Sequence, residues 1–338
     1  MKYVVGTLLF VVRCIPVLVL VVLLLAAEFL SYLMVGSVLK RVYWSCVVSP
    51  ICNLLLLVLG VWPVKISYGE SQKLRIRTEV DSRSISLSSV RGNDIIISNF
   101  VGYLQILIYA ALKSDRFGFV NMDGMVIECG LFTAIKYAMW PNPSFLEKPG
   151  CRLQDLVGSL PLIVFSEDLP TNNRAILQFP SLNEETYASF PKHIHLFSVT
   201  FVISSFITLR MDPSGTYLVG GSVRHFLSLL THIRIPVHLT WICDQDLALL
   251  PPPTVEIAAA KPKLSFQITH LSEKNTRTPE MKQVEAVVDA VKCNKYYYEV
   301  KYPELLAAMM QTKVVSLTKS QGFEFIKYYN SRGNKKQD

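Results

Sequence analysis

Charge is nearly missing from one end of this chain. Between positions 4 and 62 the only charged residues are Arg13, Glu28, Lys40 and Arg41, although the 338-residue sequence as a whole is 18% charged and 51% hydrophobic. An ordinary soluble domain would not be so oily, so the composition points to a membrane protein with a folded domain attached. Cys-x-x-Cys is also absent. The seven cysteines (Cys14, Cys46, Cys52, Cys129, Cys151, Cys243, Cys293) are odd in number and three lie in the apolar region. That argues against a disulfide framework or a zinc site and for a reducing, cytosol-facing domain. No RNA-recognition signature, zinc finger or basic-helix stripe accompanies the net charge of +8. The positive balance therefore reads as attraction to an anionic membrane surface rather than to nucleic acid. A Gly-x-Ser-x-Gly elbow, a Cys with a neighbouring His and a Walker-type phosphate loop are all lacking, which removes the common nucleophile and nucleotide schemes.

What the N-terminal region does contain is two apolar stretches, 4–12 and 15–38, separated by Arg13 and Cys14. The second is long enough to cross a hydrocarbon core, which needs about 20 helical residues. It outruns the ~7 to 15 residues of a signal-peptide core, and no small-x-small site ends it, so it reads as a retained anchor. A further apolar stretch, 42–64, is interrupted by Ser49, Pro50 and Asn53. Its best part, 51–62, fits a re-entrant or interfacial helix as well as a second crossing, with Trp44 and Trp62 at headgroup depth. Residues 1–64 thus form a membrane-anchoring hairpin. Whether it spans the bilayer or enters one leaflet stays open at this level, and only a one-leaflet hairpin can sit on a lipid droplet. Lys65, Lys73, Arg75, Arg77, Arg83 and Arg91 follow it and favour the cytoplasmic side.

The rest reads as α/β. Segments 74–80 and 85–90 suit edge strands, and 94–99 is a buried-type strand running into a helical pattern over 100–113, the βα unit of such domains. Short strands are expected at 117–120 and 125–127, a helix over 131–140 stopped by Pro141 and Pro143, and another over 153–160. The run Leu162, Ile163, Val164, Phe165 is a core strand ended by Ser166, Glu167, Asp168 and Pro170, an acidic loop of the kind that often holds chemistry. One or two strands fit 194–206, a helix 223–230 and a strand 237–243. Prolines at 251–253 mark a boundary, separating a domain over 65–250 from a helical extension over 251–338. That extension has helices at 281–293, 302–312 and 323–329 and a basic tail.

His193 and His195, two apart, face one side of a strand. A third metal ligand with sensible spacing is not visible, so no metal is expected there. His225 and His238 read as satisfied structural groups, and His232 and His270 carry no local motif.

This order of elements is similar to that of the glycerolipid (lysophosphatidate) acyltransferase family, which carries Asn-His-x-x-x-x-Asp at one strand end and Phe-Pro-Glu-Gly-Thr-Arg-Ser at another. The second block resembles 165–171. Phe165 and Glu167 match, Thr171 stands at the serine, and Asp168, Leu169 and Pro170 replace glycine, threonine and arginine. Asn172, Asn173 and Arg174 resemble the polar tract that follows. In the first block Ser98 and Asn99 match, while Phe100 occupies the histidine position and Gln105 the aspartate position.

The resemblance implies an acyltransferase-type mixed sheet flanked by helices, with Glu167, Thr171, Asn172 and Arg174 as candidate substrate-binding residues. It also implies membrane lipid and lysophosphatidate as partners, and acyl-CoA as a co-substrate rather than a bound cofactor. Phenylalanine cannot accept a proton and glutamine cannot stabilise an imidazolium. The leading expectation is therefore a catalytically impaired protein that binds lipid or partner proteins. The alternative is an active acyl-CoA:lysophosphatidate acyltransferase making phosphatidate, its base supplied from a distant residue or by the substrate phosphate. Within the family the chain resembles the fungal lysophosphatidate:oleoyl-CoA acyltransferase-like and ancient ubiquitous lipid-droplet proteins. This implies the endoplasmic reticulum membrane or the lipid-droplet surface, a cytosolic domain, and a C-terminal helix open to a protein partner.

Overall fold

The structure, a computed structural model, describes residues 2–34, 36–69, 90–112, 114–156, 160–167, 169–171, 175–188, 190–191, 193–201, 222–232, 234–248, 250, 279–316 and 321–324. The expectations for 74–80, 85–89, 202–206, 251–253 and 325–329 fall outside these residues.

The chain opens with helix α1 (Lys2–Leu33), followed by α2 (Ser37–Tyr43), a π-helical turn (Trp44–Val48) and α3 (Ser49–Val58). The runs Thr7–Leu33 and Ser37–Val58 are long and apolar enough to cross a membrane, which supports membrane association. The two apolar stretches separated by Arg13 and Cys14 belong to one continuous helix. The Arg13 guanidinium reaches the backbone carbonyls of Leu230 and His232, so the charge is satisfied sideways and the helix runs on. One stripe of α1 (Val17, Leu24, Ala27, Glu28, Ser31) is buried against the protein, and most of the other described side chains from Leu8 to Leu33 are apolar and exposed. A helix apolar all round requires apolar surroundings on its outer side as well.

The helical reading of 51–62 is corrected at its end. α3 stops at Val58, Gly60 turns the chain at φ 82°, and Trp62 lies in strand β1 (Val61–Tyr68). Then follow β2 (Ile95–Ser98), α4 (Tyr103–Ala111), β3 (Arg116–Val120), β4 (Val126–Cys129), α5 (Leu131–Met139) and α6 (Pro143–Leu146). Pro143 thus opens a short helix, its missing N–H being one that a first turn leaves unpaired anyway. In place of the helix expected over 153–160, the described residues form a single 3₁₀ turn (Leu153–Asp155), and Leu160, preceding Pro161, is disfavoured from helical geometry. β5 (Leu162–Phe165), β6 (Ala175–Leu177), α7 (Glu184–Ala188), β7 (Ile194–Phe201), α8 (Ser222–Leu229), β8 (Ile235–Ile242), α9 (Asp244–Ala248), α10 (Pro279–Tyr296), α11 (Tyr302–Met310) and β9 (Lys313–Val315) complete the chain, with a second π-turn (Tyr297–Lys301) between α10 and α11.

Among the described residues the main sheet has the order β1-β8-β7-β2-β5-β3-β4. β7, β2, β5 and β3 run parallel, β4 and β8 run against their neighbours β3 and β7, and β1 lies parallel to β8 at the edge. This is a mixed α/β sheet flanked by helices. Successive strand residues alternate between two cores. Ile96, Ile163, Phe165 and Phe197 enter one with α4, α5 and the N-terminal helices, whereas Ile97, Val164 and Leu196 enter the other with α7, α10 and α11.

All nine residues of α4 are buried, because the N-terminal helices cover the side that faces away from the sheet. They also satisfy the peptide groups that helices leave unpaired at their ends. Trp44 Nε1 donates to the Ala110 carbonyl at 3.2 Å and Ser49 Oγ to the Ala111 carbonyl at 2.5 Å, capping the C-terminus of α4. The Glu28 carboxylate accepts backbone N–H groups of Leu131 and Phe132 at the N-terminus of α5, where a negative charge is favoured by the helix dipole. Arg13 does the converse beyond α8, and Lys40 pairs with buried Asp115 at 2.5 Å.

Replacing Trp44 by Phe keeps most of the ring's packing but leaves the Ala110 carbonyl without its donor. Chemical denaturation in detergent is expected to register a loss of about 1 kcal/mol. An unchanged midpoint would remove this bond from the account of how the helices hold the domain.

Candidate functional site

β2 and β5 pair in register through Ser98 and Phe165, so the loops leaving their carboxyl ends emerge side by side. These loops hold the residues that the motif comparison singles out. Gly102, at φ 146°, allows the first loop to swing from the strand into α4, a backbone region open mainly to glycine.

Phe100 is fully buried, its ring packed against Phe165 (centroids 4.8 Å), Phe119 (5.4 Å) and Tyr137 (6.3 Å, stacked). Aromatic neighbours thus enclose the Phe100 ring. Gln105 is equally buried, and its amide serves the backbone. Oε1 accepts the Val101 N–H at 2.6 Å, and Nε2 donates to the Asn99 carbonyl at 2.7 Å and to Ser98 Oγ at 3.0 Å. As the third residue of α4 reaching back to the chain before it, Gln105 acts much as the second member of a capping box does.

Glu167 is fully buried. One carboxylate oxygen accepts the Phe100 N–H at 2.5 Å, and the other accepts the Leu177 N–H at 2.7 Å in β6. The Thr171 N–H and hydroxyl donate to the Phe100 carbonyl at 2.7 and 3.2 Å. Phe100 is therefore gripped at both backbone groups by the acidic loop. Of the predicted site residues, Phe100, Gln105, Glu167 and Thr171 come together here. Asn172 and Arg174, like Asp168, lie outside the described residues.

Asn99 and Ser98 from the first block, and Tyr109, which the sequence reading did not single out, complete the network. The Asn99 amide exchanges two hydrogen bonds with the backbone of Val199, each 3.0 Å, extending the β2–β7 pairing by a side chain. Tyr109 shares a hydrogen bond with Ser98, and burial holds its phenol, like that of Tyr103, well above the usual tyrosine range. Neither is a base at neutral pH. A Gln three residues into a helix and a Tyr four further on were the available signals.

The histidines sit elsewhere. His195 is buried with Nε2 3.1 Å from Asp94 Oδ2, and it pairs in register with Ile96. That is four strand residues short of Phe100, about 13 Å at the usual strand rise. His193 is 2.8 Å from Asp244 Oδ2, and His232 Nδ1 is the same distance from the Ser228 carbonyl. His225 Nδ1 meets the Tyr103 hydroxyl at 2.8 Å at the start of α4, and His238 is exposed on β8. His270 lies outside the described residues. Two thiols near the sheet, Cys129 and Cys243, are held protonated as well. Burial, helped by the Glu128 charge, pushes Cys129 up to about 12, and burial also raises Cys243, which shares a 3.1 Å contact with the Tyr68 hydroxyl.

No family model matches the chain, and no curated protein matches it. Among solved structures it is similar to the 1-acyl-sn-glycerophosphate (LPA) acyltransferase PlsC from Thermotoga maritima. The two are 14% identical, the similarity covers 77% of this chain and 99% of that one, and the TM-score is 0.39. At that score the likeness carries no weight for activity.

Two outcomes are expected from this geometry. Glu167→Ala strips two buried backbone N–H groups of their acceptor and lowers stability by about 3 kcal/mol, measured as a shift in the denaturation midpoint. A change under a few tenths would contradict a buried clasp. With iodoacetamide between about pH 7 and 9, Cys129 stays slow in the native protein because its thiol remains protonated, and it reacts only after denaturation. Mass spectrometry showing Cys129 labelled as fast as exposed Cys151 would refute this.

Proposed function

We propose that this chain is a membrane-seated, acyltransferase-like protein of glycerolipid or lipid-droplet metabolism that binds lipid or partner proteins and has lost general-base acyl transfer. The observation that carries this reading is the state of Phe100. At the position where the resembled family keeps its histidine, a fully buried phenyl ring is packed among Phe119, Tyr137 and Phe165. The Gln105 amide and both oxygens of Glu167 are committed to backbone groups. General-base catalysis is typically worth a factor of ~10² to 10⁴, and a phenyl ring supplies none of it. Lysophosphatidate and acyl-CoA are the ligands whose chemistry the resembled loop suits, with Thr171, Asn172 and Arg174 as the residues to hold the headgroup.

The ties at Arg13 and Glu28 support seating in one leaflet. The two residues are fifteen positions apart, about 22 Å of helix, and both are fastened to the domain. That stretch of α1 therefore lies along the domain's flank instead of projecting from it. A one-leaflet seat suits the endoplasmic reticulum membrane and a lipid-droplet monolayer alike, with the domain on the cytosolic side.

The test is full-length protein purified in detergent and supplied with lysophosphatidate and oleoyl-CoA. Phosphatidate formation is expected at the level of a heat-inactivated control. Turnover well above that control, abolished by Glu167→Gln in protein that still folds, would establish the active acyltransferase instead.

A further inference from the structure

Helix α8 is partly inside out. Its inward positions Ser222 and His225 are polar and tied down, Ser222 Oγ donating to the Met139 carbonyl at the end of α5 and His225 meeting the Tyr103 hydroxyl. Its outward positions Val223 and Leu227, one turn apart, are 52% and 44% exposed. The Ser222 bond sets Val223 next to Trp140, the residue after Met139, which is 54% exposed. At the other end of α8, Arg13 donates to the carbonyls of Leu230 and His232, which places α1, with its exposed Val12 and Ile15, next to that end.

Single exposed hydrophobics need no explanation, but a continuous apolar track does. Helices with polar groups turned inward and apolar groups outward are adapted to an apolar exterior. Here the exposed apolar residues sit on segments that these bonds hold together, from Trp140 through α8 to the helix already read as membrane-seeking. Exposed Arg224 and Lys136 flank it, as basic and tryptophan side chains do at a headgroup boundary.

We propose that the face formed by Trp140, Val223 and Leu227 is a second membrane contact, lying in the headgroup–acyl boundary of the leaflet that receives α1. The occupant is lipid because the face continues a surface whose own length and apolarity suit a bilayer. The inference rests on the membrane seating of α1. It adds that the end of the sheet where the Phe100 and Glu167 loops emerge is turned toward the lipid, since α8 is fastened there through Tyr103 and Met139.

The experiment places the photoreactive residue p-benzoylphenylalanine at position 227 of the full chain, with position 15 on α1 and exposed position 288 on α10 as comparators. The protein is reconstituted in phosphatidylcholine–phosphatidylserine vesicles and irradiated, and adducts are identified by mass spectrometry. Lipid adducts are expected at 15 and at 227, both several-fold above 288. Adducts at 15 with 227 no higher than 288 would overturn the proposal and leave the seating of α1 intact. A crosslink from 227 to residues 202–221 of the same chain, or to a second copy, would overturn it by showing protein on that face. Lack of lipid adducts at 15 would overturn both readings together.

Discussion

The structure depends on peptide groups at helix ends being satisfied by side chains from another part of the chain. α4, α5 and the end of α8 each present unpaired carbonyls or N–H groups in a dry interior, where each would cost about 1–3 kcal/mol if left alone. Trp44 and Ser49 answer those of α4, Glu28 those of α5, and Arg13 those beyond α8. The few polar and charged residues of the apolar N-terminal region are therefore not imperfections in a lipid-facing helix. They bolt that region to the domain and allow α4 to be buried on every side.

The same logic governs the loops at the carboxyl ends of β2 and β5. Ser98, Asn99, Gln105 and Tyr109 form one buried hydrogen-bonded network beneath the Phe100 ring, and Glu167 closes it from the facing loop. A carboxylate that accepts two backbone N–H groups is well used as a structural strut. In that role it stays essential whether or not a substrate is ever bound. Glu167 therefore has a structural role that does not depend on turnover.

How much of this could be read from sequence varies with the range of the interaction. β2, β5, β8, α4 and α5 were legible because their apolar runs and flanking prolines act locally. That Phe100 would be a core residue was legible from its place at the end of the apolar run of β2. The task that Gln105 and Glu167 perform was not, because their partners are backbone groups of Val101, Phe100 and Leu177, which leave no trace in residue identity. Apolar composition misled at Trp62, where a half-exposed edge strand uses the same residue types as an interfacial helix. The helix expected over 153–160 was not legible as the 3₁₀ turn (Leu153–Asp155) that its described residues form.

The sequence separation of the Arg13 bonds has a consequence for how the protein is made. Arg13 and its acceptor carbonyls at Leu230 and His232 are 217 and 219 positions apart. During synthesis at about 5–20 residues per second, α1 must therefore wait for roughly ten seconds or more before the helix end that accepts its charge exists. Through that interval an apolar helix bearing an uncompensated guanidinium has to be sheltered by lipid headgroups or a chaperone. Seating of α1 beside α8 is therefore a late tie, made only after the chain has been built past His232.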